Sequence, residues 1–443
     1  MKELVIISYY YAPANMMGAI RMSKLSKYFA DMGYKVTVIT SVNNSLLFMK
    51  EMASEDPILA DDVKGLRILK VSHGYLYSLI AKRIRRKVST INLMPYEDFN
   101  KGLIKKLKKY FMHYGVYFLS LLQDYEFYMQ SRKYLNKIKF NDNTVLISTY
   151  GPLANHIISR KIINKQNQKV KWIADFRDPI AQPENYGLEH KINKYFEKKI
   201  CEEASRVVAV SEGYLKSLNM NLNAKGFVIT NGYDKSDVKY ISEKYRINKL
   251  TFVYTGTLYS GKRDLSPLFK VIKELSQSKI IDLANIMFYY AGVEGTHFLN
   301  EAKKYGLEKQ VCSIGNVSRV ESLNLQASAD ILVAATWNNL KDSGILPGKF
   351  LEYMLLNKTV LAFVCGNETN SEIKALIEET KLGVCYEEGG SLDDYELLKT
   401  FIINKYEEFI DTSKIKFTGN KRKLEKYCYT AISSEYAELI ENI

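Results

Sequence analysis

Within its first forty residues the chain runs through an apolar stretch (4–10), a loop (11–19), an amphipathic stretch and a second apolar stretch (34–40). Leu25, Tyr28 and Phe29 share one face of the amphipathic stretch, and Asp31-Met32-Gly33 ends it with a glycine suited to a helix C-cap. Strand, loop, helix and strand in that order make a βαβ unit, whose crossover pairs its two strands in parallel and covers the sheet with helices. The alternation continues through apolar runs at 144–149, 170–174, 206–211 and 227–234. It restarts at 250–254, 286–290, 311–315, 331–335 and 360–364. The pattern predicts an α/β protein with two Rossmann-like domains, residues 1–232 and 233–420. A helical tail at 421–443 is long enough to return to the first domain. In 443 residues there is room for two such domains.

Composition narrows the class. No apolar run approaches the ~20 residues that span a bilayer. The N-terminus, Met1-Lys2-Glu3 before Leu4-Val5-Ile6-Ile7, reads as a first strand and lacks a cleavage-site pattern. Five Cys and five His are scattered without CxxC or HExxH spacing, which argues against a disulfide framework or a metal site and for a reducing cytoplasm. The formal net charge is +14, a field that favours anionic partners. Much of it lies in residues 75–139, which hold 14 basic residues against four acidic ones. There Leu103, Leu107, Tyr110, Phe111 and Tyr114 fall on one helical face, and Lys101, Lys105, Lys108 and Lys109 on another. That is the pattern of an interfacial helix on an anionic membrane; a solvated surface helix packed on the sheet is the alternative. No nucleic-acid motif accompanies the charge, so nucleic acid is not expected as a partner.

In such sheets ligands gather beyond the carboxyl ends of strands, and the polar residues cluster there. The first loop carries Gly18, where backbone can approach a ligand, and Arg21 follows within reach of a phosphate. His156 lies in the helix after the fourth run. The run 170–174 ends in Asp175-Phe176-Arg177-Asp178-Pro179, where the alternative to a site is a structural Asp–Arg bridge. In the second half, Gly256 and Gly261 precede a basic pair, Lys262-Arg263, ahead of a helix. Backbone N–H groups of that loop are expected to hold a diphosphate. Glu294 closes the run 286–290, and the backbone at Ile314 is placed to pair with a base edge. Pro347-Gly348-Lys349-Phe350-Leu351-Glu352-Tyr353 opens a helix with Phe350, Tyr353 and Met354 on one face. Lys349 and Glu352 sit three apart near its N-terminus: a cation for phosphate and a carboxylate for two ribose hydroxyls, or an ordinary i,i+3 ion pair.

Five of these stretches in this order, Tyr9 to Arg21, Asp175 to Pro179, Asn231-Gly232-Tyr233-Asp234, Gly256 to Arg263 and Pro347 to Tyr353, resemble the GT-B glycosyltransferases. The likeness is to the retaining, family 4-like group that includes many bacterial capsule and surface-polysaccharide transferases, and it extends over nearly the whole chain. It implies two Rossmann-like domains facing across a cleft, with the C-terminal helix returning to the first domain. It implies a nucleotide-sugar donor, UDP by family habit, and no metal or other cofactor. By the same resemblance Gly18 lies against the donor phosphate, Lys262 and Arg263 grip the diphosphate, and Glu352 binds the ribose. Asp175, Arg177, Asp178 and His156 become the candidate catalytic residues, and Gly18, Arg21, Gly256, Lys262, Arg263, Glu294, Ile314, Lys349 and Glu352 the candidate donor-binding ones. The chain departs from the family at three positions. Gly344 stands where a first glutamate is usual, Arg177 where a histidine is usual, and Thr257 where the loop arginine is usual. Arg177 cannot serve as a base, because a guanidinium stays protonated. In a front-face retaining reaction the donor phosphate itself takes the acceptor proton, so none is required.

The expected function is a metal-independent hexosyl transfer from a nucleotide-diphosphate sugar to a polyprenyl-diphosphate-linked saccharide. It would run on the inner face of the cell membrane in capsule or O-antigen synthesis. A nucleotide-sugar 2-epimerase of the same architecture and a non-catalytic partner subunit are the alternatives. Sugar, linkage and oligomeric state are not legible.

Overall fold

A computed structural model of the chain describes residues 2–42, 55–75, 77–79, 103–166, 169–182, 187–218, 220, 222, 224–340 and 342–443, with side chains left out at 103–113 and 116. It divides into two compact units. The first comprises residues 1–210, 214–229 and 433–443, and the second 211–213 and 230–432.

The first unit carries seven strands: β1 (Glu3–Ile7), β2 (Lys35–Ser41), β3 (Arg67–Val71), β4 (Thr144–Thr149), β5 (Lys171–Phe176), β6 (Arg206–Ala209) and β7 (Gly226–Val228). All pair in parallel in the order β3-β2-β1-β4-β5-β6-β7. The helix Met17–Asp31 is the first crossover, with Leu25 and Phe29 fully buried. It ends as the sequence requires. Gly33 takes φ +90°, its N–H donating to Ala30 O, while Tyr34 N–H donates to Phe29 O.

The second unit repeats the scheme with β8 (Leu250–Thr255), β9 (Ile286–Ala291), β10 (Val311–Gly315), β11 (Ile331–Trp337), β12 (Thr359–Cys365) and β13 (Gly383–Glu387). They are parallel in the order β10-β9-β8-β11-β12-β13. Side chains alternate between two cores. Phe252, Tyr254, Leu361 and Phe363 enter one, while Val253, Val360, Ala362 and Val364 enter the other. The sheet is therefore covered on both faces, and polar side chains concentrate at strand ends.

In each sheet the strand order reverses direction once, between β1 and β4 and again between β8 and β11. Such a reversal point is the usual place for a ligand in an open parallel sheet. The tail splits. Leu424, Tyr427 and Cys428 belong to the second unit's core. Within the helix Tyr429–Glu441, residues from 433 onward belong to the first unit, where Tyr436 packs its ring 5.6 Å from Phe29. The units thus part at 229 and 432, against sequence boundaries of 232 and 420. No described helix is long and apolar enough to cross a membrane.

Candidate active site

In the second unit the chain leaves β11 and enters a short helix, Gly348–Tyr353, with Phe350, Tyr353 and Met354 buried as the spacing predicts and Leu351 buried as well. Glu352, 7% exposed, faces away from that apolar side toward two cations. Its Oε1 accepts from Arg319 Nε (2.9 Å) and its Oε2 from Lys349 Nζ (2.8 Å). Arg319 Nη2 donates onward to Asp237 Oδ2 (2.8 Å), and Lys349 Nζ reaches Ser322 Oγ at 3.3 Å. Burial alone would raise the Glu352 pKa, yet the Lys349 and Arg319 cations bring it down to about 2. The pair expected from the spacing exists, and it is the outer half of a Lys–Glu–Arg–Asp chain. Gly344, with φ +75°, holds a backbone conformation that a glutamate would adopt only under strain.

The loop after β8 differs in one respect from its sequence reading. Glu294, at the N-cap of the helix Gly295–Lys304, takes the N–H groups expected to hold a diphosphate. Its Oε2 accepts from Leu258 N and Tyr259 N (2.9 Å), and its Oε1 from Ser260 N (2.6 Å). The cations of the loop stack around Trp337 at the end of β11. Lys262 Nζ lies 5.4 Å and the Arg263 guanidinium 5.5 Å from its ring. Arg263 also lies 4.7 Å from the Tyr259 ring and donates from Nη1 to Thr257 O (3.1 Å). Gly256 holds φ +140° and accepts on its carbonyl from Tyr290 Oη (3.0 Å). Ile314 lies where the β9–β10 register shifts, between Ser313 and Gly315.

In the first unit the buried Asp–Arg pair joins Asp175 to Arg21, and not to the adjacent Arg177. Arg21 and Asp175 are both buried and bonded to each other, Nη2 to Oδ2 at 2.8 Å and Nε to both oxygens at 3.1 Å. Arg21 points inward and presents no exposed guanidinium to a phosphate. Asp175 also accepts from Thr149 Oγ1 (3.2 Å) and Tyr436 Oη (3.4 Å), so it anchors the fold. His156 is likewise buried, with Nδ1 against Ser148 Oγ (2.7 Å) and its ring 4.9 Å from Phe176. Burial lowers its pKa to about 3, so near neutral pH it is a neutral core group without solvent access. Arg177 is the cation the end of β5 does present. Its Nε donates to Tyr150 O (3.0 Å) and lies 3.8 Å from Asp178 Oδ2. A Cβ added at Gly18 would lie 2.1 Å from Arg177 Nη1, and one at Gly151 2.3 Å from Nη2. Both glycines make room for that guanidinium, a role the sequence reading of Gly18 did not contain.

No family model matches the sequence, and no curated protein matches it. Solved structures do match it. The chain is similar to sucrose-phosphate synthase from Thermosynechococcus elongatus (TM-score 0.59, 12% identity, covering 100% of this chain and 99% of that one). It is similar to a variant of S. aureus TarM in complex with fondaparinux, α-GlcNAc-glycerol and UDP (TM-score 0.58, 11%, 99% and 100%). A third is a UDP-forming α,α-trehalose-phosphate synthase from Burkholderia vietnamiensis (TM-score 0.59, 8%, 100% and 100%). The chain has the GT-B fold.

Several residues of this GT-B chain with a part in its polar clusters escaped the sequence reading. Arg319, Asp237 and Trp337 stand apart from any motif. So does Asp124, on the helix Leu103–Leu135, at 9% exposure. Burial pushes its pKa up to about 8, against the opposing effect of the Ala154 N–H that it accepts, and its Oδ1 has no described partner. In the sequence it was one of four acids in a basic segment, a weak signal. The folded chain binds a proton here that the unfolded chain releases near pH 4. Stability therefore falls as pH rises from about 4 to about 8 and then levels off. Asp124→Asn should raise the thermal midpoint at pH 8 and leave it unchanged near pH 4; equal gains at both would refute the assignment.

Of the expected membrane-facing lysines, Lys101 lies outside the described residues. Lys105, Lys108 and Lys109 fall within the helix Leu103–Leu135, but their side chains lie outside the description, as do those of Leu103, Leu107, Tyr110 and Phe111. Further along that helix Phe118 and Tyr125 are 66% and 58% exposed.

Proposed function

We propose that this chain is a glycosyltransferase, moving a sugar from a nucleotide-diphosphate donor, a UDP-sugar, to a polyprenyl-diphosphate-linked saccharide in surface-polysaccharide synthesis. The observation that carries the reading is Glu352. A carboxylate held ionised by Arg319 and Lys349, on the short helix beyond the carboxyl end of β11, suits the two hydroxyls of a ribose. The GT-B fold supports it, as do similar structures whose descriptions name UDP.

The transfer itself asks for two things of the protein. Negative charge on the departing diphosphate must meet fixed cations, and Lys262 and Arg263 hold such charge on a short ordered loop. The acceptor hydroxyl must lose a proton. His156 and Asp175 are buried and engaged, and Arg177 stays protonated. The resemblance to retaining GT-B enzymes gives that role to the donor phosphate oxygen, with retention of configuration and no metal, and Asp178, half-exposed beside Arg177, is the carboxylate left at that strand end. The basic segment 75–139 and the exposed Phe118 and Tyr125 support a place on the anionic inner leaflet.

Thermal stability against UDP, GDP, ADP, CDP and NAD tests the reading. UDP at a hundred times its Kd should stabilise the second unit by ~2.7 kcal/mol, with the other nucleotides weaker. A midpoint indifferent to all five would remove the nucleotide site and the transferase with it.

A further inference from the structure

The loop at residues 256–263 is built around an anion that the protein itself supplies. Three consecutive N–H groups, from Leu258, Tyr259 and Ser260, converge on the Glu294 carboxylate. Tyr259 and Ser260 both have φ +53°, a left-handed conformation that costs free energy in residues with a side chain and persists only where surroundings enforce it. Glu294 is itself tied back to the same loop. Its N–H donates to Tyr290 Oη (3.1 Å), and that hydroxyl donates to Gly256 O (3.0 Å). Lys262 and Arg263 follow directly, and their cations lie over Trp337 and Tyr259. Where the loop sits decides where those charges sit.

We propose that Glu294 is the positioning residue of the diphosphate grip. Its carboxylate fills the N–H triad and holds Lys262 and Arg263 in place before a nucleotide arrives. The inference rests on the functional reading above and adds a division of labour to it. Phosphate contacts come from the two side-chain cations, and the N–H triad serves the loop. Pre-ordered cations lower the ordering cost of donor binding and stand ready for the departing diphosphate, so Glu294 acts on affinity and on turnover.

Tryptophan fluorescence of the full-length protein tests this. There are two tryptophans, Trp172 and Trp337. Trp172 is fully buried in the first unit's core, so a response to nucleotide belongs to Trp337 and should vanish in W337F. Glu294→Ala should weaken UDP binding at least tenfold, a loss of ~1.4 kcal/mol. Added formate, a small carboxylate able to refill the triad, should restore most of that affinity while leaving wild type unchanged. Glu294→Gln keeps one acceptor oxygen, folds if the alanine variant does not, and should fall between. In turnover the effect should appear in both KM and kcat, because the same two cations meet the departing diphosphate. UDP binding by Glu294→Ala as tight as wild type, or tighter, would overturn the proposal, because the carboxylate would then be competing with phosphate for the triad. A loss that formate does not recover would overturn it too. If wild type binds no nucleoside diphosphate, the functional reading fails by itself. The loop assignment is then judged by the nucleotide-free emission of Glu294→Ala, which must shift as the cations leave Trp337; an unchanged spectrum refutes it.

Discussion

Asp175→Ala is expected to cost the first unit roughly 3–5 kcal/mol, the largest stability loss of any single polar substitution considered for this chain. The carboxylate takes both oxygens to Arg21, one of them also to Thr149 and the other to Tyr436, all in the interior. Remove it and Arg21 keeps Ile229 O, at 2.9 Å from Nη2, but loses its countercharge. A guanidinium cannot shed its proton to escape, whereas a stranded carboxyl can take one up. Arg21→Ala should therefore cost less than Asp175→Ala. Replacing both, as Arg21→Met with Asp175→Leu, should recover much of the loss, since a buried pair returns little over apolar packing of similar volume. Denaturant unfolding followed by Trp172 emission measures all three, because that ring lies in the same core. A loss below ~1 kcal/mol for Asp175→Ala would mean that Arg21 finds water or another partner, and the anchoring role would fall.

That pair also shows how far a sequence can be read. Periodicity located the inner strands, because a strand buried on both faces must be apolar throughout, and β8, β11 and β12 meet that demand. It passed over the edge strand β3, Arg67–Val71, where only Val71 is buried, and over β13, also at an edge. The Lys349–Glu352 pair was legible because three residues of one helix fix its geometry. Arg319 completes that chain from 33 positions away, and nothing local announces it. Arg21 was legible as a cation near a strand end, but its direction was not, because Asp175 meets it from 154 positions along the chain. Gly18 was read as a place where backbone approaches a ligand, and Gly151 was not singled out. Gly18 and Gly151 are spaced by the fold, and what they clear is the Arg177 side chain. Local chemistry tells which residues can act; whether an N–H triad faces phosphate or Glu294 is decided by topology.

Glu352→Gln should weaken UDP binding by roughly 10- to 100-fold, as expected when a charge-assisted hydrogen bond worth about 1.5–3 kcal/mol is lost. Oε1 and Oε2 each take one protein cation and retain further acceptor capacity, so a ribose can be bound without breaking the Arg319 and Lys349 contacts. Glutamine offers one acceptor oxygen and turns an N–H₂ group toward one of two cations. A second consequence separates this role from a plain surface pair. The folded-state pKa of Glu352, about 2, lies below the 4.5 usual for the side chain. Its contribution is therefore present above pH ~4.5 and is lost as pH falls toward 2, by about 1.4 kcal/mol for each pH step of one between those values. Acid unfolding of Glu352→Gln should lack that part of the slope, while nucleotide binding at neutral pH should already be impaired. Normal UDP affinity in a variant with the flattened acid limb would leave Glu352 as the counterion of Arg319 and nothing more. The ribose would then have to be sought elsewhere in the second unit.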